Sequence, residues 1–203
     1  MAAEADARPV SGPSAQSRRV VFLGPPGSGK GTQATALARE LGIPAISTGD
    51  MLREAVANGS ELGRRVRRIM ESGELVGDDL MAEVVTERLA QPDTARGFLL
   101  DGYPRTASQA ETLLGILEGE GSTLDHVVFI TVPEEELVRR AIQRQRGADD
   151  KEEVVRERLR VYREKTEPLV DYYRGKGLLR QVDGNRPVDD VRQSILDAFE
   201  AAE

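Results

Sequence analysis

The chain has 203 residues, enough for one domain with a buried core and small insertions. It contains no cysteine, which excludes disulfides and thiolate chemistry and fits a reducing cytoplasm. A net charge of −7, from 28 basic and 35 acidic residues, argues against general affinity for nucleic acid. No apolar run approaches the roughly 20 residues of a membrane span. The composition predicts a globular protein that binds neither nucleic acid nor membranes.

Residues 1–18 are rich in Ala, Ser and Pro and lack the apolar centre of a signal peptide. They are predicted to form a disordered extension. The folded domain is then expected to span residues 19–203.

The most informative segment is the run GPPGSGKGT at residues 24–32. It follows a short apolar run and precedes a helical pattern, so strand, loop and helix come in the order of a phosphate-binding loop. Glycines let backbone N–H groups converge on an anion, and the helix adds its positive dipole end. Lys30 can place an ammonium beside nucleotide phosphates. A simple glycine-rich turn would explain the glycines but not this lysine. The predicted phosphate-binding residues are Gly27, Ser28, Gly29, Lys30, Gly31 and Thr32.

Short apolar runs alternate with amphipathic segments along the rest of the chain. Strands are predicted at 19–23, 45–46, 97–100, 126–132 and 178–182. Helices are predicted near 30–41, 49–57, 61–72, 78–91, 106–118, 134–145, 150–164 and 188–201. This alternation indicates parallel βαβ units in an α/β sandwich, in which ligands gather at the carboxyl ends of the strands.

Two further blocks lie at predicted strand ends. In PAISTGDMLR, at residues 44–53, Arg53 lies about one helical turn after the strand and can hold a phosphate with its forked donors. Thr48, taken alone, fits a helix cap as well as a ligand contact. In FLLDGYPRT, at residues 98–106, Asp101 ends a buried strand, as the magnesium-associated Asp of phosphate-loop enzymes does, although a turn or cap would also explain it.

Together the three blocks resemble the nucleoside monophosphate kinases, and most closely the short-lid adenylate kinases, over about residues 19–198. The Gly31-Thr32 pair after the lysine, where other phosphate loops have Ser or Thr directly, is the pattern of this family. The resemblance implies a phosphate-loop three-layer α/β sandwich whose five-stranded parallel sheet has the order 2-3-1-4-5, with helices on both faces. It also implies the reaction MgATP + AMP ⇌ 2 ADP, carried out by a monomer.

AMP is the acceptor of the phosphoryl group in this reaction, and the resemblance implies that a helical insert at 47–76 closes over it. The residues that bind AMP are called the acceptor side. Thr48 would lie near the adenine, Arg53 and Arg105 on the AMP phosphate, and Asp101 on magnesium through water. Gln109, four residues past Arg105 on the same helical face, would contact the adenine edge. The implied AMP-binding residues are Thr48, Gly49, Arg53, Leu75, Val76, Gly102, Arg105 and Gln109. Thr48 together with Gln109 favours AMP over the acceptors of uridylate–cytidylate kinases.

ATP is the donor of the phosphoryl group, and the residues that bind it are called the donor side. The resemblance implies that arginines near the lid belong to this side. Arg140 would lie against the ATP adenine, Arg144 on its phosphates, and Arg158 on a further phosphate. Only four residues separate Arg144 from Asp149, so the predicted lid at about 141–149 is shorter than in other short-lid members and has no room for zinc. The second lid arginine of the family has no counterpart in register. The implied catalytic residues are Lys30, Asp101, Arg105, Arg140, Arg144 and Arg158.

Three other functions stay open from the sequence. A uridylate–cytidylate kinase would share the fold and the loop. A nucleotide-binding protein of weak catalytic activity would explain the abbreviated lid. A phosphate-loop ATPase acting on a protein partner would leave the Thr48–Arg53 and Arg105–Gln109 blocks unexplained.

Overall fold

A computed structural model describes residues 18–143 and 151–202. Five strands form one sheet: β1 (Arg18–Leu23), β2 (Ala45–Ser47), β3 (Gly97–Asp101), β4 (His126–Thr131) and β5 (Leu179–Asp183). All neighbours pair in parallel, in the order β2-β3-β1-β4-β5. Both the parallel sheet and its predicted order are confirmed.

The described helices are α1 (Lys30–Leu41), α2 (Thr48–Ala57), α3 (Glu61–Ser72), α4 (Asp78–Leu89), α5 (Ala107–Gly119), α6 (Glu134–Gln143), α7 (Glu152–Val161), α8 (Leu169–Gly175) and α9 (Val188–Glu200). A 3-10 turn covers Pro92–Thr94 and a π turn covers Tyr162–Thr166. The helix predicted near 150–164 ends at Val161 as an α-helix, and α8 was not predicted. Pro168 caps this short helix and interrupts the apolar periodicity on which the prediction depended.

Helices cover both faces of the sheet because the side chains of each strand alternate between them. Val20 and Phe22 of β1 belong to a buried cluster with α1 and α9. Val21 and Leu23 belong to a second cluster with α4, α5 and α8. Burial on both faces explains why β1 reads as a continuous apolar run rather than an alternating one.

The parallel arrangement brings five chain segments to one edge of the sheet. β1 leads into the loop at 24–29, β2 directly into α2, and β3 into the segment at 102–106. β4 and β5 lead into α6 and the loop at 184–187 on the same edge. Within residues 18–143 and 151–202, no helix is both long and apolar enough to cross a bilayer.

Candidate nucleotide site

The loop between β1 and α1 has the backbone geometry of an anion cradle. Gly27 and Gly29 adopt positive φ values of 87° and 93°, and Gly29 caps α1 in the left-handed conformation. A Cβ atom on Gly27 would lie 2.5 Å from the carbonyl oxygen of Leu137, so no larger residue fits there. Left-handed residues directly before a helix turn successive N–H groups toward one point.

Lys30 and Asp101 flank this loop. The Lys30 ammonium donates to the carbonyl oxygens of Gly24, at 2.7 Å, and Pro25, at 2.9 Å. Asp101 Oδ2 lies 3.4 Å from the position that a Cβ on Gly31 would occupy. The predicted cation and the predicted carboxylate therefore lie on the same side of the loop, although they are 71 positions apart in sequence (101 − 30).

An open cavity of about 1,310 Å³, called the loop cavity, extends over the loop. Its lining includes nine of the residues predicted for the donor side: Gly27, Ser28, Gly29, Lys30, Gly31, Thr32, Asp101, Arg140 and Arg158. Arg140 is oriented by Glu136, at 2.5 Å, and by the carbonyl oxygen of Gly184, at 3.0 Å. Arg144 and the predicted short lid beyond Gln143 lie outside the described residues.

A second cavity of about 580 Å³, called the insert cavity, lies beside α2 and α3. All eight residues predicted for the acceptor side line it: Thr48, Gly49, Arg53, Leu75, Val76, Gly102, Arg105 and Gln109. Leu52, Met70 and Met81 add apolar walls that sequence reasoning did not assign to the site, because in sequence they look like ordinary core positions.

Thr48 is not the cap of α2. Ser47 caps the helix by accepting from the backbone N–H of Asp50 at 3.3 Å. Thr48 is buried, and its hydroxyl donates to the carbonyl oxygen of Asp101 at 3.3 Å. Thr48 therefore joins the ends of β2 and β3 and forms part of the cavity wall.

Arginines lie where the two cavities meet, because Arg53, Arg105 and Arg158 line both. Arg105 does not share a helical face with Gln109 as predicted, since Thr106 caps α5 and Arg105 precedes that cap. Its Nε donates to the carbonyl oxygen of Gly102 at 2.8 Å. Burial, together with the nearby charge of Arg53, lowers the pKa of Arg105, while Asp101 opposes this shift. Two guanidinium groups facing one space favour an anion between them.

Gln109 is buried, and its carboxamide is anchored at both ends. Its Oε1 accepts from the backbone N–H of Arg105 at 2.8 Å, and its Nε2 donates to Asp78 Oδ1 at 2.8 Å. Thr106 Oγ1 donates to the other carboxylate oxygen of Asp78 at 3.0 Å. Asp78 was not among the predicted site residues, because only the packing of α4 against α5 brings it to Gln109.

A sequence model described as adenylate kinase matches residues 22–178 of the chain. The chain belongs to the adenylate kinase family. An adenylate kinase of Thermus thermophilus is 55% identical over 183 residues, covering 89% of this chain and 96% of the relative. An adenylate kinase of Stenotrophomonas maltophilia is 50% identical over 186 residues, covering 90% and 100%. One from Archaeoglobus fulgidus is 47% identical over 206 residues, covering 87% and 95%.

Membership in the adenylate kinase family confirms the prediction of a nucleotide-binding transferase of the kinase type with a phosphate-loop α/β fold. All three relatives carry the name adenylate kinase, which supports the predicted adenylate kinase function over the uridylate–cytidylate alternative. Substrates of this family are adenine nucleotides, and its members generally use Mg²⁺ with ATP.

Proposed function

We propose that this chain transfers the terminal phosphoryl group of MgATP to AMP and forms two ADP. One observation carries the proposal: the loop cavity and the insert cavity meet at Arg53, Arg105 and Arg158. An ATPase needs one nucleotide cavity and a path for water. Two cavities that share a set of cations suit two anionic nucleotides whose phosphates must approach each other.

On the donor side, the loop N–H groups and Lys30 would hold the ATP phosphates. Contacts of the Lys30 ammonium with loop carbonyls place it at the cavity wall, from which it can turn to a phosphate. Arg140, which is oriented by Glu136, would lie against the adenine of ATP. Arg144 is part of the same proposal, on family resemblance alone.

Asp101 fits a magnesium ion that arrives with the nucleotide. Among the described residues, no group of three or more His, Cys, Asp or Glu side chains could hold a metal by itself. Mg²⁺ that is bound by phosphates keeps several waters and needs only one or two carboxylates, and Asp101 lines the loop cavity close to Gly31. When bound, the ion neutralises charge on the phosphate oxygens. Asp101 would orient its waters.

On the acceptor side, Arg53 and Arg105 would hold the AMP phosphate at the junction of the cavities. Like charges that face each other are costly until an anion lies between them, so the pair favours the phosphate there. Thr48, Leu75 and Val76 would surround the base together with the apolar walls of the insert cavity. Gln109 would contact the edge of the adenine.

Catalysis would then depend on positioning and electrostatics rather than on a base. Arg105 and Arg158 line both cavities, and they would neutralise charge on the oxygens of the transferring group. We propose one domain at 19–203, with the insert at 47–76 and the short lid at about 141–149 closing to exclude water. We also propose that the protein acts as a monomer in the cytoplasm.

The test measures ADP formed from MgATP with AMP, with CMP, with UMP and with no acceptor. We expect two ADP for each ATP consumed, only with AMP, and no activity in a Lys30→Met control. ADP formed without any acceptor would identify an ATPase. Preference for CMP or UMP would identify the pyrimidine alternative, and binding without transfer would identify a nucleotide-binding protein.

A further inference from the structure

We propose that Asp78 is a specificity-determining positioning residue. It fixes the polarity of the Gln109 carboxamide, so that the insert cavity accepts a purine monophosphate with an amino group at position 6 and rejects one with an oxo group there. The inference rests on the proposed function, because it concerns the acceptor of that reaction. Asp78 itself does not line the cavity and would act through Gln109, which does.

The chemistry of the partners determines the direction of each hydrogen bond. A backbone N–H can only donate, so the atom of Gln109 that faces Arg105 N at 2.8 Å must be its oxygen. An ionised carboxylate can only accept, so the atom that faces Asp78 at 2.8 Å must be the nitrogen. Rotating the carboxamide by half a turn would place its oxygen against the carboxylate and its nitrogen against an N–H group.

Asp78 is itself held in place by a closed set of contacts. Its second oxygen accepts from Thr106 Oγ1 at 3.0 Å. The same hydroxyl accepts from the backbone N–H of Gln109 at 3.2 Å, as the cap of α5. The Asp78 carboxylate, the Thr106 hydroxyl, and the backbone N–H and carboxamide of Gln109 thus form a ring that joins the start of α4 to the start of α5. Gln109 is 3% exposed, so water competes little for the bonds of its carboxamide.

The anchored carboxamide retains one N–H and one oxygen lone pair for a ligand. Adenine has an acceptor at N1 and a donor at its 6-amino group, and such a donor–acceptor pair complements that edge. Hypoxanthine, the base of IMP, reverses both: N1 carries a hydrogen and position 6 carries an acceptor oxygen. IMP could pair only with a rotated carboxamide, which Asp78 and the Arg105 N–H group oppose. A site built on fixed polar groups rejects the mismatched analogue strongly.

The experiment compares AMP with IMP, which differ only at this edge of the base. For the full chain and its variants, the ratio of AMP to IMP is measured twice, as dissociation constants and as kcat/KM. Asp78→Ala should lower this ratio by about ten- to a hundredfold, the range for losing a hydrogen bond to a charged group. The ratio of AMP to CMP should not change, because cytosine offers the same acceptor–donor pair as adenine and is distinguished by its size.

Further variants separate positioning from a structural role. Asp78→Asn keeps the volume and one acceptor oxygen but adds an N–H donor that can pair with a rotated Gln109 carboxamide, so it should lower the AMP-to-IMP ratio by less than Asp78→Ala does. Asp79→Ala is the matched control, because Asp79 is an exposed acid in the same first turn of α4 and should leave the ratio unchanged. In a Gln109→Ala background, Asp78→Ala should have no further effect on the ratio. Asp78→Leu removes both oxygens while keeping the branched shape of the side chain, and it replaces Asp78→Ala if that variant does not fold.

An unchanged ratio in Asp78→Ala, or an equal fall in Asp79→Ala, would overturn the inference. The inference would also be overturned if Asp78→Ala still lowered the AMP-to-IMP ratio in the Gln109→Ala background. Binding distinguishes these outcomes from failure of the proposed function. A wild-type chain that prefers AMP to IMP in binding but transfers no phosphoryl group would refute the function and leave the positioning role standing.

Discussion

Replacing Gly63 by Ala tests how closely α2 and α3 must pack to form the insert cavity. A Cβ atom on Gly63 would lie 2.0 Å from the carbonyl oxygen of Ala55 and 2.6 Å from the backbone nitrogen of Val56. Ordinary contact begins near 3.4 Å, so one helix must move by about 1.4 Å (3.4 − 2.0). Both obstructing atoms are backbone, and no side chain can rotate away to relieve the contact.

The carbonyl of Ala55 cannot move without further cost. It accepts hydrogen bonds from the backbone N–H of Ser60, at 3.1 Å, and from Ser60 Oγ, at 3.0 Å. Overpacking costs about 1–3 kcal/mol, and the better helix propensity of Ala returns up to about 1 kcal/mol. We expect Gly63→Ala to lower the free energy of unfolding by about 2 kcal/mol.

Displacement of α2 and α3 should also weaken the acceptor site. α2 carries Thr48 and Arg53, and α3 carries Met70, all of which line the insert cavity. A misplacement of about 1 Å can reduce activity by up to about a hundredfold. We therefore expect KM for AMP to rise by about ten- to a hundredfold, while the dissociation constant for ATP stays near the wild-type value.

Urea unfolding and steady-state kinetics check the prediction, with Gly115→Ala as the matched control. Gly115 lies in α5 with no atom within 4 Å of its Cβ position. That variant should gain about 0.5–1 kcal/mol from helix propensity alone, with unchanged kinetics. A Gly63→Ala protein that is as stable as Gly115→Ala, or that has a wild-type KM for AMP, would refute the argument.

Three further predictions concern the loop, the junction and pH. Lys30→Met should lower kcat by at least about a hundredfold with little change in the urea midpoint, and near-normal kcat would refute the role of Lys30. Arg105→Ala should raise KM for AMP and lower kcat, whereas a change in ATP parameters alone would mean that the two cavities are assigned the wrong way round. His126 is buried against Phe199, and burial, followed by the charges of Arg180 and Arg18, lowers its pKa to about 4 from 6.5. The pKa of His126 is lower in the folded than in the unfolded protein, so the unfolded chain takes up the proton first as pH falls. The free energy of unfolding should therefore decrease by on the order of 3 kcal/mol as pH falls from 6.5 toward 4. His126→Phe should therefore lose less stability than wild type between pH 6.5 and 4.5 in urea unfolding, and equal losses would contradict this.

Features that depend on neighbouring residues could be predicted from the sequence. The phosphate-binding loop is one, because glycine conformation, the preceding strand and the following helix are all local. All five strands were predicted with ends within one residue of those observed, because burial on both faces leaves continuous apolar runs such as 20–23. The order of the strands came from family resemblance rather than from any local signal, and the pairing of β1 with β3 and β4 confirms it.

Only the tertiary structure could decide which distant residues meet. Asp78 and Gln109 are separated by 31 positions, and nothing in the sequence around either one indicates the other. Thr48 fitted a helix cap locally, but the cap is Ser47, and β2–β3 pairing turns Thr48 toward Asp101. Arg158 likewise reaches both cavities only because α7 packs against the end of α3. Sequence patterns report the φ preferences and burial of neighbouring residues, whereas a binding site depends on the distances between side chains, which the packing of helices on the sheet sets.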